Sequence, residues 1–209
     1  MAAVPAIELT YFALPRPIQG RGGCVRSFML AHNIKFTEKL VSFEEWGSLK
    51  TALADEGIKH MPFLTIDGTK YAEHVALMKL VARFAKVEVP TDPIELYAQD
   101  GIADAYAEWR GAWAKAKFGG DPAAEVDYKA NLPTLLKEFD TLLKRYSKTE
   151  AFISGPQPLW ADTALYSLLQ DNITVEYLTE EGLKEYPRLS ALYTAHKSIK
   201  EVAAWMEQK

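Results

Sequence analysis

The chain has 209 residues, 48% hydrophobic and 25% charged, with a formal net charge of −4 and one cysteine. That length and apolar fraction suffice for one large or two small packed domains, while the acidic balance and scattered lysines speak against a nucleic-acid surface. One cysteine excludes an internal disulfide, no stretch reaches the roughly 18 apolar residues of a membrane span, and MAAVPAIELTYF has neither the charged start nor the apolar core of a secretory leader, so the expectation is a cytoplasmic protein.

Taken in chain order, IELTYF (7–12) alternates as a first strand and ALPRPIQGRGG (13–23) is a Pro/Gly/Arg loop. CVRSFMLAHN (24–33) carries the 3.6-residue period of a short helix, and KFTEKLV (35–41) is a second strand. The polar FEEWGSLKTALADEG (43–57) is helical or irregular. FLTI and TKYA flank Asp67-Gly68, a hairpin signal, and EHVALMKLVARFAKV (73–87) is a helix predicted to bury Val75, Leu77, Met78, Val81 and Phe84. Pro62 opens the third strand without an N–H to give to the ladder. It is therefore an edge or turn residue, or a cis proline that leaves the preceding backbone for something else to pair with. The proline-rich VEVPTDP then reads as a linker, and every strong segment beyond it is helical, which places a domain boundary near residue 88.

A β-α-β-α-β-β-α unit with a proline at the entrance of its third strand, followed by an all-helical domain, resembles the cytosolic glutathione transferases over nearly the whole chain. The matching pieces are LTYF, GRG, EWGSLK, MPFLTIDG, EHVAL and LWADTAL, and they look most like the tyrosine-type group containing the sigma, pi, mu and alpha enzymes. The resemblance implies a thioredoxin-like glutathione-binding domain over 1–87 and an all-α domain over 88–209. It also implies a cis bond before Pro62, with the backbone of Met61 turned toward the cysteinyl part of glutathione.

Glutathione transfer needs a thiolate near neutral pH, although a free thiol has a pKa of about 8.5. The resemblance makes Tyr11 the donor of a hydrogen bond to that thiolate, with Arg21 a cation beside it. Trp46 and Lys50 match residues that hold the glycine carboxylate, and Glu73 matches a partner for the γ-glutamyl end. His74 stands where the family usually has serine, and the loop after Tyr11 is longer than usual. Asp100, with Asp104 one turn on as competitor, matches an aspartate supplied by the neighbouring subunit, so a homodimer is implied. Asp162 is read as structural, half of a helix-capping pair whose hydroxyl partner is replaced by Leu159. Tyr106, Trp109 and Trp113 recur on one helical face as a stripe that is either core or one wall of a pocket for a small hydrophobic electrophile.

Two functions compete: glutathione transferase, with peroxidase or isomerase activity as variants, and a non-catalytic binding or structural protein on the same fold. A third reading makes Cys24 a nucleophile, but it lies 13 residues beyond Tyr11 without a second cysteine, and it reads better as a small apolar helix residue. Glutathione is the expected co-substrate. No metal is expected, because His32, His60, His74 and His196 show no ligand spacing.

Overall fold

A computed structural model describes residues 5–208, and the chain divides into two compact units. The first contains the residues up to Val89 and the segment from Ile199 onward, and the second is Pro90–Ser198.

In the first unit, β1 (Ile7–Phe12), α1 (Gly20–Ala31), β2 (Thr37–Val41), α2 (Phe43–Ala52), β3 (Phe63–Ile66), β4 (Thr69–Ala72) and α3 (His74–Phe84) form the β-α-β-α-β-β-α order read from the sequence. The sheet runs β2-β1-β3-β4, with β1 parallel to β2 and antiparallel to β3, and β3 antiparallel to β4. The β3–β4 turn is Asp67-Gly68, with φ of 47° and 85°. Two consecutive positive φ values match the right-handed twist of the strands they join, which is why the Asp-Gly pair signals a hairpin. Ser42 and Glu45 form a reciprocal capping box that starts α2 (Glu45 N–H to Ser42 Oγ, 3.1 Å; Ser42 N–H to Glu45 Oε2, 2.7 Å), so this stretch is helical.

Helices α1 and α3 pack on each other and on the sheet, and Leu9, Cys24, Phe28, Leu64, Met78 and Val81 are fully buried. Phe84 does not follow the predicted pattern. It is 42% exposed in the last turn of α3, and Val75 in the first turn is only half-buried, while Leu77, Met78 and Val81 are buried as expected. Helix α1 begins at Gly20 rather than at Cys24, so Gly20-Arg21-Gly22-Gly23 is its first turn and not loop. Beyond the second unit, the chain returns as α9 (Lys200–Met206) and packs on α1.

The second unit is helical: α4 (Pro93–Phe118), α5 (Pro122–Tyr146), α6 (Trp160–Thr174), the single turn α7 (Glu180–Leu183) and α8 (Pro187–Lys197). Both long helices start from an Asp-Pro pair. Asp92 accepts from the amides of Ile94 and Glu95, and Asp121 from that of Ala123, while the proline stands at a first-turn position that has no use for an N–H.

Candidate active site

The strand register brings three of the sequence candidates, Tyr11, Pro62 and Glu73, to one end of the sheet. Thr10 lies opposite Phe63, and Phe63 opposite Ala72. Extending each ladder by one residue sets Tyr11 beside Pro62 and Pro62 beside Glu73. The Met61–Pro62 peptide bond is cis. Tyr11 and Met61, 7% and 6% exposed, share one apolar cluster with Val41, Leu53, Ile58 and Phe63, and Trp46 packs against that cluster. Lys50 stands exposed one turn beyond Trp46 on α2, the i,i+4 spacing that puts both on one helical face.

Tyr11 is held from its hydroxyl end. Its Oη accepts a hydrogen bond from the backbone N–H of Arg21 at 3.1 Å, in the first turn of α1. The amides of that turn have no intrahelical acceptor and carry the positive end of the helix dipole. A phenol that accepts there becomes a stronger donor through its own proton, because hydrogen bonds in a chain polarise one another. The structure therefore gives Arg21 a contact that the sequence did not predict: its backbone touches the tyrosine.

Glu73 is exposed and precedes the first residue of α3 with φ of 71°, its side chain making no hydrogen bond to the helix amides. A non-glycine residue in that region ordinarily costs of order 1–3 kcal/mol and persists where the surroundings demand it. His74 follows as the first residue of α3 and is buried. The helix N-terminus behind it is a ready anion site. Asp100 accepts from the indole N–H of Trp160 at 2.9 Å within the helical unit, and Asp104 is exposed.

The aromatic stripe resolves as core. Tyr106, Trp109 and Trp113 are at most 2% exposed, and the Trp109 indole donates to the Tyr128 hydroxyl at 2.8 Å. Cys24 is fully buried against Met78, 3.9 Å from its sulfur. Among the described residues, no group of three or more His, Cys, Asp or Glu side chains could hold a metal.

Sequence reasoning missed the surroundings of the loop after Tyr11. Arg16 and Arg26 lie 4.7 and 4.4 Å from the centre of the Trp205 ring, and Arg16 donates to the Gln208 carbonyl at 3.2 Å. Arg26 also pairs with Glu38 at 2.7 Å. Gln19 is fully buried, donates to the Pro17 carbonyl at 3.1 Å and accepts from Ser27 at 3.1 Å. The loop, α1, α9 and the strands β1 and β2 thus line a small cavity of about 40 Å³ at Tyr11, with Arg16, Gln19, Arg26, Glu38 and Trp205 on its walls. No local sequence signal marks this, because it depends on the return of α9.

The cluster therefore offers a phenol at a helix N-terminus, a strand entrance beside it, cationic side chains and a second helix N-terminus. That set suits an extended ligand with anionic ends and a central group that needs a proton donor.

The family model "Glutathione S-transferase, C-terminal domain" matches residues 107–209. The chain is 29% identical to Glutathione S-transferase P of Pongo abelii over 202 residues, covering 94% of this chain and 89% of that protein. It is 28% identical to Glutathione S-transferase P of Homo sapiens over 193 residues, covering 90% and 85%. Among solved structures, prostaglandin synthase D of Nilaparvata lugens aligns with a TM-score of 0.79 at 19% identity, covering 98% of both chains. A GST specific to the nematode Caenorhabditis elegans aligns with a TM-score of 0.78 at 23% identity, covering 98% and 97%.

Proposed function

We propose, from the premise that this chain belongs to the cytosolic glutathione S-transferase family, that the strand-end cluster at Tyr11 is its glutathione site and that it conjugates glutathione to small hydrophobic electrophiles. The observation that carries this reading is the Tyr11 hydroxyl, seated on the N-terminal turn of α1 and adjacent in register to the Met61–Pro62 strand entrance.

The proposed chemistry follows from the parts. Glutathione lies along the entrance of β3 and pairs with the backbone of Met61, as an added strand would. Its thiol reaches the Tyr11 hydroxyl and loses its proton to solvent water, and the hydroxyl donates to the resulting thiolate while accepting from the Arg21 amide. A charge-assisted bond of about 1.5–3 kcal/mol lowers the thiol pKa by about one to two units. The thiolate then attacks the electrophilic carbon, the carbon–sulfur bond forms, and the leaving group departs with its electron pair. Trp46 and Lys50 hold the glycine carboxylate. Glu73, His74 and the α3 N-terminus take the γ-glutamyl end, with a carboxylate of a second copy of the chain, Asp100 or Asp104, facing the ligand ammonium. The working form is a homodimer of the cytosol.

The test begins with retention on immobilised glutathione and turnover of a general electrophile. Tyr11→Phe is expected to lower kcat by about 10- to 100-fold, keep glutathione affinity within a few fold and raise the pKa of the bound thiol. An unchanged titration of thiolate absorbance with pH would remove Tyr11 from the mechanism. Lys50→Ala should raise KM for glutathione by about 5- to 10-fold with at most a twofold change in kcat, because the ammonium meets a carboxylate whose charge is constant through the reaction. Equal affinities by calorimetry at low salt would show that Lys50 is only a surface residue of α2.

A further inference from the structure

We propose that Gly22 is a positioning residue for the thiol-activating hydroxyl, a role that rests on the reading of Tyr11 given above. Three of the first four residues of α1 are glycine, although glycine is a poor helix former. Two of the three are explained by the tyrosine.

A Cβ built on Gly22 would lie 2.1 Å from Tyr11 Cγ, 2.2 Å from Cδ1 and 2.5 Å from Cδ2. Near-equal distances to both Cδ atoms put that carbon over the face of the ring, at the half nearest the strand. Carbon atoms in contact stand about 3.5–4.0 Å apart, so the ring would have to retreat by about 1.5–2 Å. A Cβ on Gly20 would lie 2.4 Å from Tyr11 Oη, and Gly20 also has φ of 55°. The first turn of α1 is thus a bare floor under the whole length of the phenol. Gly23 serves another neighbour, since its Cβ would meet the Gln19 side chain at 2.7 Å.

The absent side chain at Gly22 has a chemical consequence. It lets the ring lie close enough for the Arg21 amide to reach Oη at 3.1 Å, and so fixes where the phenolic proton points. A displacement of about 1 Å at a reacting group can lower rate by about a hundredfold. In this proposal Gly22 acts only through the Tyr11 ring.

The experiment compares the parent with Gly22→Ala, Tyr11→Phe and their double variant for turnover and for the pH titration of bound thiolate. A second cycle compares Tm for Gly22→Ala with and without Tyr11→Ala. Gly22→Ala is expected to lower turnover by about 10- to 100-fold, to raise the thiol midpoint about as far as Tyr11→Phe does, and to add no more than twofold to the Tyr11→Phe defect. It should lower Tm when the ring is present and raise it when the ring is gone, since alanine is the better helix former. A parental titration in Gly22→Ala, or equal losses of Tm in both backgrounds, overturns the proposal. If Gly22→Ala alone does not fold, the Tyr11→Ala/Gly22→Ala protein decides: folding supports a clash with the ring, and failure to fold overturns it. An unchanged titration in Tyr11→Phe would sink the reading of Tyr11 and the catalytic half of this proposal, while the Tm cycle still decides whether Gly22 seats the ring.

Discussion

Arg110→Met is expected to destabilise the protein by about 3–5 kcal/mol, with a fall in Tm on the order of 10 °C. Arg110 on α4 and Asp171 on α6 form an ion pair whose side chains are 1% and 0% exposed. The guanidinium also donates to the Tyr106 hydroxyl at 3.1 Å and lies 5.0 Å from the centre of the Trp113 ring. Burial opposes its charge, but Tyr106 and Asp171 together outweigh that effect and hold its pKa above the usual arginine value. Methionine would fill much of the space and leave Asp171 in the interior without its cation, which is the expensive half of breaking a buried pair. Adding Asp171→Leu should recover most of the loss, because two apolar side chains of similar volume remove the desolvation penalty along with the attraction. Urea unfolding of the two single variants and the double variant measures this. A single variant within 1 kcal/mol of the parent would mean that water reaches the pair.

Asp162→Ala is expected to cost about 3–5 kcal/mol at pH 4.5, with the deficit narrowing as pH rises. One carboxyl oxygen accepts from the Ile153 amide at 2.9 Å, and the other accepts from the Leu159 amide at 2.9 Å and the Gln99 side chain at 3.0 Å. Alanine strands three buried donors, each costing about 1–3 kcal/mol before water or neighbours compensate. Burial pushes the Asp162 carboxyl from 3.8 up to about 6, against the pull of those same hydrogen bonds. The folded pKa lies above the unfolded one, so between pH 4 and 6 the unfolded chain has released a proton that the folded chain still holds. Stability from this group is therefore complete below about pH 4 and falls as pH rises through 6, by at most about 3 kcal/mol. Chemical unfolding of parent and variant at pH 4.5, 5.5 and 6.5 checks the sign. A gap that widens with pH would mean that the folded carboxylate is stabilised as an anion, contrary to its burial.

The capping of α6 shows what a sequence hides. Leu159 has no oxygen with which to cap a helix, and the local pattern at LWAD reads as an incomplete pair. The missing acceptor comes from α4, where the Gln99 side-chain oxygen accepts from the Ala161 amide at 3.1 Å while its nitrogen donates to Asp162. A residue sixty positions away completes the cap. No period or motif around Gln99 announces this, because the requirement lies on another helix.

The sequence by itself determined the Asp-Gly hairpin and the strand-helix alternation of the first unit, whose signals are local, while the Asp-Pro helix starts and the capping box at Ser42 became visible only in the structure. The resemblance to the glutathione transferases, carried by short motifs in order along the chain, supplied Tyr11, Arg21, Trp46, Lys50, Met61, Pro62, Glu73, His74 and Asp100 as candidates. Only the tertiary structure decided what touches what. It put the Arg21 amide against the Tyr11 hydroxyl, made Gly20 and Gly22 the floor under the ring, placed the Tyr106, Trp109 and Trp113 stripe in the helical core, and returned α9 so that Trp205 meets Arg16 and Arg26. The physical reason is the range of the determinants. Turns, caps and periodicity are fixed within a few residues by backbone sterics and hydrogen bonds, whereas the burial of an aromatic stripe or the seating of a phenol depends on surfaces brought together from distant parts of the chain.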